Sequence, residues 1–97
     1  MDSAVALREF LEFVIAQLVD HPEQASISHH MASNRHVFEV AVADTDVGRI
    51  IGKNGQTIGA MRNLLEAAAS RNKEQVSLSV GPRPRDGEQE SDRQNPG

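Results

Sequence analysis

The chain has 97 residues, no cysteine and a net charge of −4 at neutral pH. This length suits one small domain with a single core and leaves no room for a second domain. The missing cysteine excludes disulfide frameworks, zinc–thiolate sites and thiol nucleophiles, and it indicates a reducing compartment. Neither a basic start followed by an apolar run nor an apolar stretch of membrane-spanning length is present, so we predict a cytoplasmic protein.

Charge is unevenly distributed along the chain. Val47 to Lys73 contains five basic residues and one acidic residue, whereas Met1 to Glu23 contains five acidic residues and one basic residue. Distribution matters more than the sum when the partner is a polyanion. The basic segment therefore suits single-stranded nucleic acid, with modest and salt-dependent affinity.

The first twenty residues predict an amphipathic helix. Asp2 or Ser3 can cap it, and Pro22 ends it because the residue before a proline avoids helical geometry. The opposite face is mostly acidic, so it should point away from nucleic acid. Apolar side chains recur at steps of three and four residues and form the buried face, at Val5, Leu7, Phe10, Leu11, Val14, Ile15, Leu18 and Val19.

Two antiparallel strands are predicted next. Ala25 to Met31 alternates weakly and is interpreted as an outer strand, and Ala32 to Arg35 forms the turn. His36 to Ala43 alternates clearly, with one apolar face made by Phe38, Val40 and Val42.

Two parts of the sequence contain residue types that can bind metal ions. Four histidines precede Asp44, but adjacent histidines on a strand point to opposite faces and no thiol or carboxylate completes a ligand set. We interpret all four as solvated. Asp44 and Asp46 resemble the start of a calcium loop, but Gly48 and Gly55 stand where ligands are required. Thr45 or Asp46 is a better candidate as a helix cap, and neither a metal nor another cofactor is predicted.

The segment from Val47 to Arg62, VGRIIGKNGQTIGAMR, predicts two helices separated by the sharp turn Gly52-Lys53-Asn54-Gly55. The two glycines permit positive φ and leave no Cβ between the backbone and a ligand. The second helix begins just after the turn, so its free N–H groups and positive dipole end lie near Lys53 and suit an anion.

This glycine-rich turn has two alternative interpretations, a P-loop and a purely structural corner. A nucleotide-hydrolysing P-loop requires a preceding strand and Ser or Thr after the lysine, whereas here Asn54 follows Lys53. A plain helix-loop-helix corner would need only the two glycines. The lysine, the helix start and the isoleucines around the turn favour nucleic-acid binding.

The stretch Ile50 to Ile58, IIGKNGQTI, resembles the I-G-x-x-G-x-x-I core of KH domains, RNA-binding modules whose GXXG loop clamps about four nucleotides. The resemblance extends over nearly all of Asp2 to Val80. It implies an α+β fold of the type II KH arrangement, in the order α-β-β-α-α-β, with helices on one face of a three-stranded mixed sheet. The chain also looks like the small stand-alone bacterial KH proteins of the KH-domain protein A family.

The rest of the chain completes this order. The second helix continues to about Arg71, and Gln75 to Val80 alternates as a third strand. From Gly81 to Gly97 no apolar side chain could enter a core, so we predict a KH domain at residues 1–80 and a disordered polar tail at 81–97.

The predicted function is non-enzymatic binding of single-stranded RNA, as an RNA chaperone or post-transcriptional regulator. No catalytic residue and no small-molecule substrate can be named. The resemblance places RNA in a groove between the GKNG loop, its flanking helices and the strand His36 to Ala43. All three phenylalanines are interpreted as core residues, so aromatic stacking should contribute little. The candidate RNA-binding residues are Arg49, Ile50, Ile51, Gly52, Lys53, Asn54, Gly55, Gln56, Ile58 and Arg62.

The alternative is a KH-fold module that acts mainly by pairing with another protein. Members of the resembling family are associated with self-pairing and with a larger KH protein of the Jag type, linked to cell-envelope and division control. We predict a homodimer, or a heterodimer with such a protein, through the helix Gln56 to Arg71. Small residues there would let a helix approach closely, at Gly59, Ala60, Ala67 and Ala68, and any uncovered apolar residue among Ile58, Met61 and Leu65 would need burial.

Overall fold

A computed structural model describes residues 3–84 as an α+β fold in the predicted order. The regular elements are α1 (Ser3–Leu18), β1 (Ser26–Ala32), β2 (Arg35–Val42), α2 (Val47–Ile51), α3 (Gln56–Ser70) and β3 (Gln75–Pro82). Short 3₁₀ turns lie between them at Pro22–Gln24, Asp44–Asp46 and Lys53–Gly55. The type II KH order inferred from the sequence is therefore confirmed.

The three strands form one mixed sheet with β2 in the centre. β1 pairs antiparallel with β2, and β3 pairs parallel with β2. Hydrogen bonds extend the parallel pairing beyond both ends, because the Gln75 N–H donates to the Asn34 carbonyl at 2.9 Å and the Arg83 N–H donates to the Val42 carbonyl at 2.7 Å. Because β2 is paired along both edges, the free edges of the sheet belong to β1 and β3.

The core fills the space between the helices and one face of the sheet. Alternate β2 residues are buried, as the period of two in the sequence predicted. The central apolar cluster draws on every helix and on β2 and β3, and it consists of Leu7, Leu11, Ile15, Val19, Phe38, Val40, Val42, Ile50, Met61, Leu65, Ala69, Val76 and Leu78.

Element bounds differ slightly from those predicted. β1 and β2 are each shifted by one residue, and β3 runs to Pro82 instead of Val80. The sheet continues there because the Arg83 N–H still reaches β2, so the predicted start of the tail at Gly81 is too early. The remainder of the predicted tail, from residue 85, lies outside the described residues, as does the proposed cap Asp2. The other proposed cap, Ser3, is the first residue of α1, and its hydroxyl donates to Glu74 Oε1 at 3.0 Å.

The histidine prediction was wrong for His36, which is only 2% exposed. It shares the inward face of β2 with Phe38. Its Nε2 donates to Glu74 Oε1 at 2.7 Å, and its Nδ1 lies 3.0 Å from His29 Nε2. Hydrogen bonds from His36 and then from Ser3 hold the pKa of Glu74 below its ordinary value. An imidazole with both nitrogens bonded is stable inside a core, which strand spacing alone does not reveal.

The phenylalanine prediction was wrong for Phe13. Phe38 is fully buried and Phe10 packs against the core, but Phe13 is 66% exposed on α1. Phe13 lies two residues from both Leu11 and Ile15, so it is on the side of α1 opposite the buried face. An aromatic side chain therefore remains in water, where burial against a partner would be favourable.

Candidate nucleic-acid interface

The GKNG loop is a turn built from three residues with positive φ. α2 ends when Gly52 takes φ 77° and ψ 173°, and its N–H donates to the Gly48 carbonyl at 2.8 Å. Asn54 (φ 57°) and Gly55 (φ 74°) are left-handed, a region that glycine and asparagine adopt at low cost. α3 then starts at Gln56. The predicted helix-turn-helix geometry is therefore present.

Gly52 is required by close packing as well as by φ. A Cβ at this position would lie 2.7 Å from Thr57 Cβ and 3.0 Å from the Thr57 backbone nitrogen, and it would also collide with Thr57 Oγ1. The loop backbone therefore lies directly against the first turn of α3. Gly55 has no neighbour within 4 Å of the corresponding Cβ position, so its backbone is open to a ligand.

The polar residues of the loop face solvent. Lys53 and Asn54 are both exposed, and no carboxylate in the part of the chain described here pairs with Lys53. Gln56 is also exposed, at the first position of the 15-residue helix α3. A free ammonium group next to a helix N-terminus gives an electropositive point at the loop.

The three isoleucines around the loop have different environments. Ile50 is buried in the core, so it cannot form part of an apolar floor for bases as the resemblance implied. Ile51 and Ile58 are half-buried and remain accessible beside the loop. Adjacent helix residues project about 100° apart, so Ile50 enters the core while Ile51 is only half-buried.

Arg49 is exposed but already has partners. Its Nη2 lies 2.8 Å from Asp20 Oδ2, and its Nε lies 3.7 Å from Asp46 Oδ1. The structure thus places this candidate RNA-binding residue against the acidic end of the α1 segment. Asp20 is far away in sequence, so the pairing could not be read from local spacing.

Asp46 precedes α2, but its side chain does not cap that helix. Its fully buried carboxylate accepts hydrogen bonds from the backbone N–H groups of Asp20 and His21, each at 3.0 Å. Burial by itself would raise the pKa of Asp46, but these two N–H donors, with the charges of His21 and Arg49, lower it below the ordinary 3.8. Asp46 therefore fastens the chain after α1 to the start of α2.

Arg62 contacts the sheet. Its Nη2 donates to the Leu78 carbonyl at 3.0 Å, on the free edge of β3. α2 and α3 both contact β3, whereas β2 lies in the middle of the sheet. The strand that α2 and α3 contact is therefore β3, whereas the strand that the resemblance places along the RNA groove, His36 to Ala43, forms the centre of the sheet as β2. The sequence showed three strands but not which of them would be central.

Neither a metal centre nor a membrane helix is found within residues 3–84. The histidine and carboxylate side chains there do not form a cluster of three suited to an ion. None of the helices in the same range has the length and apolar character needed to cross a bilayer.

Comparisons with known proteins agree with the motif. A family model described as KhpA/KhpB, KH domain, matches residues 8–80. The RNA-binding protein KhpA of Chlamydia pneumoniae is 45% identical over 74 residues, covering 76% of this chain and 95% of the relative. The proteins of the same name from Thermotoga maritima and Halalkalibacterium halodurans are 35% and 34% identical over 74 residues, covering 76% of this chain and 97% of each relative. The matched range includes the GKNG loop and both helices beside it.

Proposed function

Because the chain belongs to the KhpA/KhpB family of KH domains, we propose that it binds single-stranded RNA in the cytoplasm without catalysing a reaction. The observation that carries the proposal is the loop itself. An unpaired Lys53 and an exposed Asn54 stand on a glycine-bounded turn at the start of α3. Similar KH proteins that are named RNA-binding proteins support the choice of ligand.

The proposed contacts follow from exposure and charge. The side chains of Lys53 and Asn54 bind phosphates, because both are exposed to solvent. The N–H groups of Gly55 and Gln56 instead close the turn, by donating to the carbonyls of Gly52 and Lys53. Ile51 and Ile58 support bases through their exposed apolar surface. With no tyrosine or tryptophan in the chain, stacking adds little and a single site binds weakly. Weak and reversible binding suits an RNA chaperone or a post-transcriptional regulator.

The proposed binding of RNA phosphates by the loop is tested with the double variant Lys53→Asp/Asn54→Asp. The matched control is Asn72→Asp/Lys73→Asp, which makes the same charge change at exposed positions at the other end of α3. The helix is about 22 Å long, well beyond the ~8 Å screening length at physiological salt. We expect the loop variant to lose at least about tenfold in affinity for short single-stranded RNA, with the control near the parent.

Melting temperatures of both variants should remain close to that of the parent, because all four positions are exposed. The proposed function is wrong if the loop variant binds RNA as tightly as the control at low salt.

We also propose that the protein pairs with a second KH protein, either another copy or a larger one, through α1 and α3. Met61 and Leu65 are buried in this chain's own core, so neither is left uncovered for a partner. Leu64, however, is 58% exposed, and Phe13 is exposed on α1. The start of α1 and the end of α3 line a common groove, which places the two helices side by side.

An exposed leucine and phenylalanine on adjacent helices offer a partner apolar area that water does not favour. Small exposed residues on α3, at Ala60, Ala67 and Ala68, allow close approach. Two linked sites would also raise the effective RNA affinity without new contacts.

Pairing is tested by sedimentation equilibrium of the parent, Phe13→Glu/Leu64→Glu and a control, Met31→Glu, which alters an exposed apolar residue on β1. The parent and the control should dimerise while the double variant stays monomeric. A monomeric parent at all concentrations would leave only the heteromeric form, and capture of a larger KH protein by the parent but not by the double variant would support that form. If the cellular phenotype follows the Phe13 and Leu64 variant but not the loop variant, pairing is the main function.

A further inference from the structure

Two cations close to each other in sequence have different environments at the candidate RNA site. Within residues 3–84 Lys53 has no carboxylate partner, whereas the guanidinium group of Arg49 lies 2.8 Å from the Asp20 carboxylate and 3.7 Å from Asp46 Oδ1. Arg49 lies three residues before Gly52, about 5 Å along α2 at the helical rise per residue. That distance is within the ~8 Å screening length, so RNA held at the loop would sense the charge of Arg49.

The ion pair is not the only link between α2 and the chain after α1 in the described residues. The buried carboxylate of Asp46 also accepts the N–H groups of Asp20 and His21. These bonds use the backbone of Asp20 and leave its side chain free to pair with Arg49. Both members of the Asp20 and Arg49 pair are more than half exposed, and such surface pairs contribute little to stability.

We propose that Asp20 is an affinity-setting residue that occupies Arg49 and competes with RNA phosphate for its guanidinium group. This inference rests on the proposed RNA binding at the GKNG loop. Asp20 neutralises one of the cations nearest the loop, so the protein binds RNA less tightly than its basic segment would permit. The competition is possible because the backbone of Asp20 is held in place while its carboxylate remains at the surface.

The test is a double-mutant cycle with Asp20→Asn and Arg49→Gln, using fluorescence anisotropy of a labelled random-sequence single-stranded RNA at low salt. Asp20→Asn preserves the backbone N–H that Asp46 accepts. We expect it to raise affinity about two- to fivefold, the range of a surface ion pair. Arg49→Gln should lower affinity, and adding Asp20→Asn to it should produce no further gain.

The matched control is Glu23→Gln, which removes the same charge three residues away, where the carboxylate faces His21 at 3.8 Å. It should change affinity less than Asp20→Asn does. The proposal is overturned if the two substitutions have equal effects, or if Asp20→Asn raises affinity equally when Arg49 is absent, because both results indicate a general field effect.

Lys53→Asp/Asn54→Asp is measured in the same series, so that the two proposals fail separately. Undiminished binding by that variant contradicts the loop assignment. Loss of binding by it, together with a neutral Asp20→Asn, contradicts only the role of Asp20.

Discussion

At the residue scale, the two glycines of the loop both have positive φ but differ in the packing around them. Gly52 lies against Thr57, whereas Gly55 has open space where a Cβ would stand. Alanine at either position must adopt a backbone conformation that costs about 1–2 kcal/mol. Only Gly52→Ala also forces Thr57 and the first turn of α3 to move.

We therefore expect Gly52→Ala to lower the free energy of unfolding clearly more than Gly55→Ala, as measured by urea denaturation. Gly55→Ala measures the cost of the positive-φ backbone alone, because no atom lies within 4 Å of its Cβ position. Equal losses for the two variants would show that the contact with Thr57 relaxes freely.

The lowered pKa of Asp46 predicts that the stability of the fold depends on pH. Its pKa is below the ordinary 3.8 in the folded protein, so the carboxylate stabilises the fold above that value and its contribution is lost as the pH falls through the lowered pKa. Asp46→Asn should destabilise the protein at neutral pH, because one amide oxygen cannot replace two carboxylate oxygens facing two N–H donors.

The same variant should also lose less stability than the parent on acidification from neutral pH to below 3.8, followed by urea midpoints across the series. Glu74, ordinarily at 4.5 and also lowered, remains in both proteins and accounts for a shared part of the acid loss. Identical acid losses in parent and variant would contradict the assignment to Asp46.

At the element scale, α3 has a core residue and a residue of the proposed interface next to each other in the sequence. Leu65 is fully buried and Leu64 is 58% exposed. Leu65→Ala should cost about 2–5 kcal/mol of unfolding free energy, because it leaves a cavity in the core. Leu64→Ala should change it by less than about 0.5 kcal/mol when measured on the monomer at low concentration.

The measurement is denaturant unfolding of both variants with the parent. A large loss for Leu64→Ala at low concentration would mean that α3 is rotated relative to the arrangement described here. A loss that appears only at high concentration would instead indicate dimer stability.

At the scale of the whole molecule, the sheet sets where the domain ends. The core cluster seen in the described residues runs from Leu7 to Leu78, so we expect removal of residues 85–97 to leave the free energy of unfolding within about 0.5 kcal/mol of the parent. Truncation after Gly81 removes the Arg83 N–H that bonds to Val42, and it should cost about 0.5–1.5 kcal/mol more. Thermal unfolding of the two truncated proteins measures the difference.

A large loss on removing only residues 85–97 would show that this segment contributes to folding. Equal stability of the two truncated forms would place the domain boundary nearer to Val80, as the sequence had indicated.

Local chemistry was sufficient to predict much of this protein. The period of two in β2 predicted a strand, and the steps of three and four residues in α1 predicted a helix. Each element buries one face, so its apolar residues recur with the period of that element. The loop Gly52 to Gly55 was recognisable for a similar reason, since a turn with positive φ between two helices restricts which residues can form it.

Tertiary structure decided what depends on residues far apart in the chain. With β2 in the centre of the sheet, β3 is the strand that α2 and α3 contact, and contacts across more than 25 residues determined the pairing of Arg49 with Asp20 and of His36 with Glu74. The helix period could not show that Leu64 stays in water, because its exposure depends on which elements pack beside α3. Periodicity specifies a face, whereas only the packed molecule specifies what covers it.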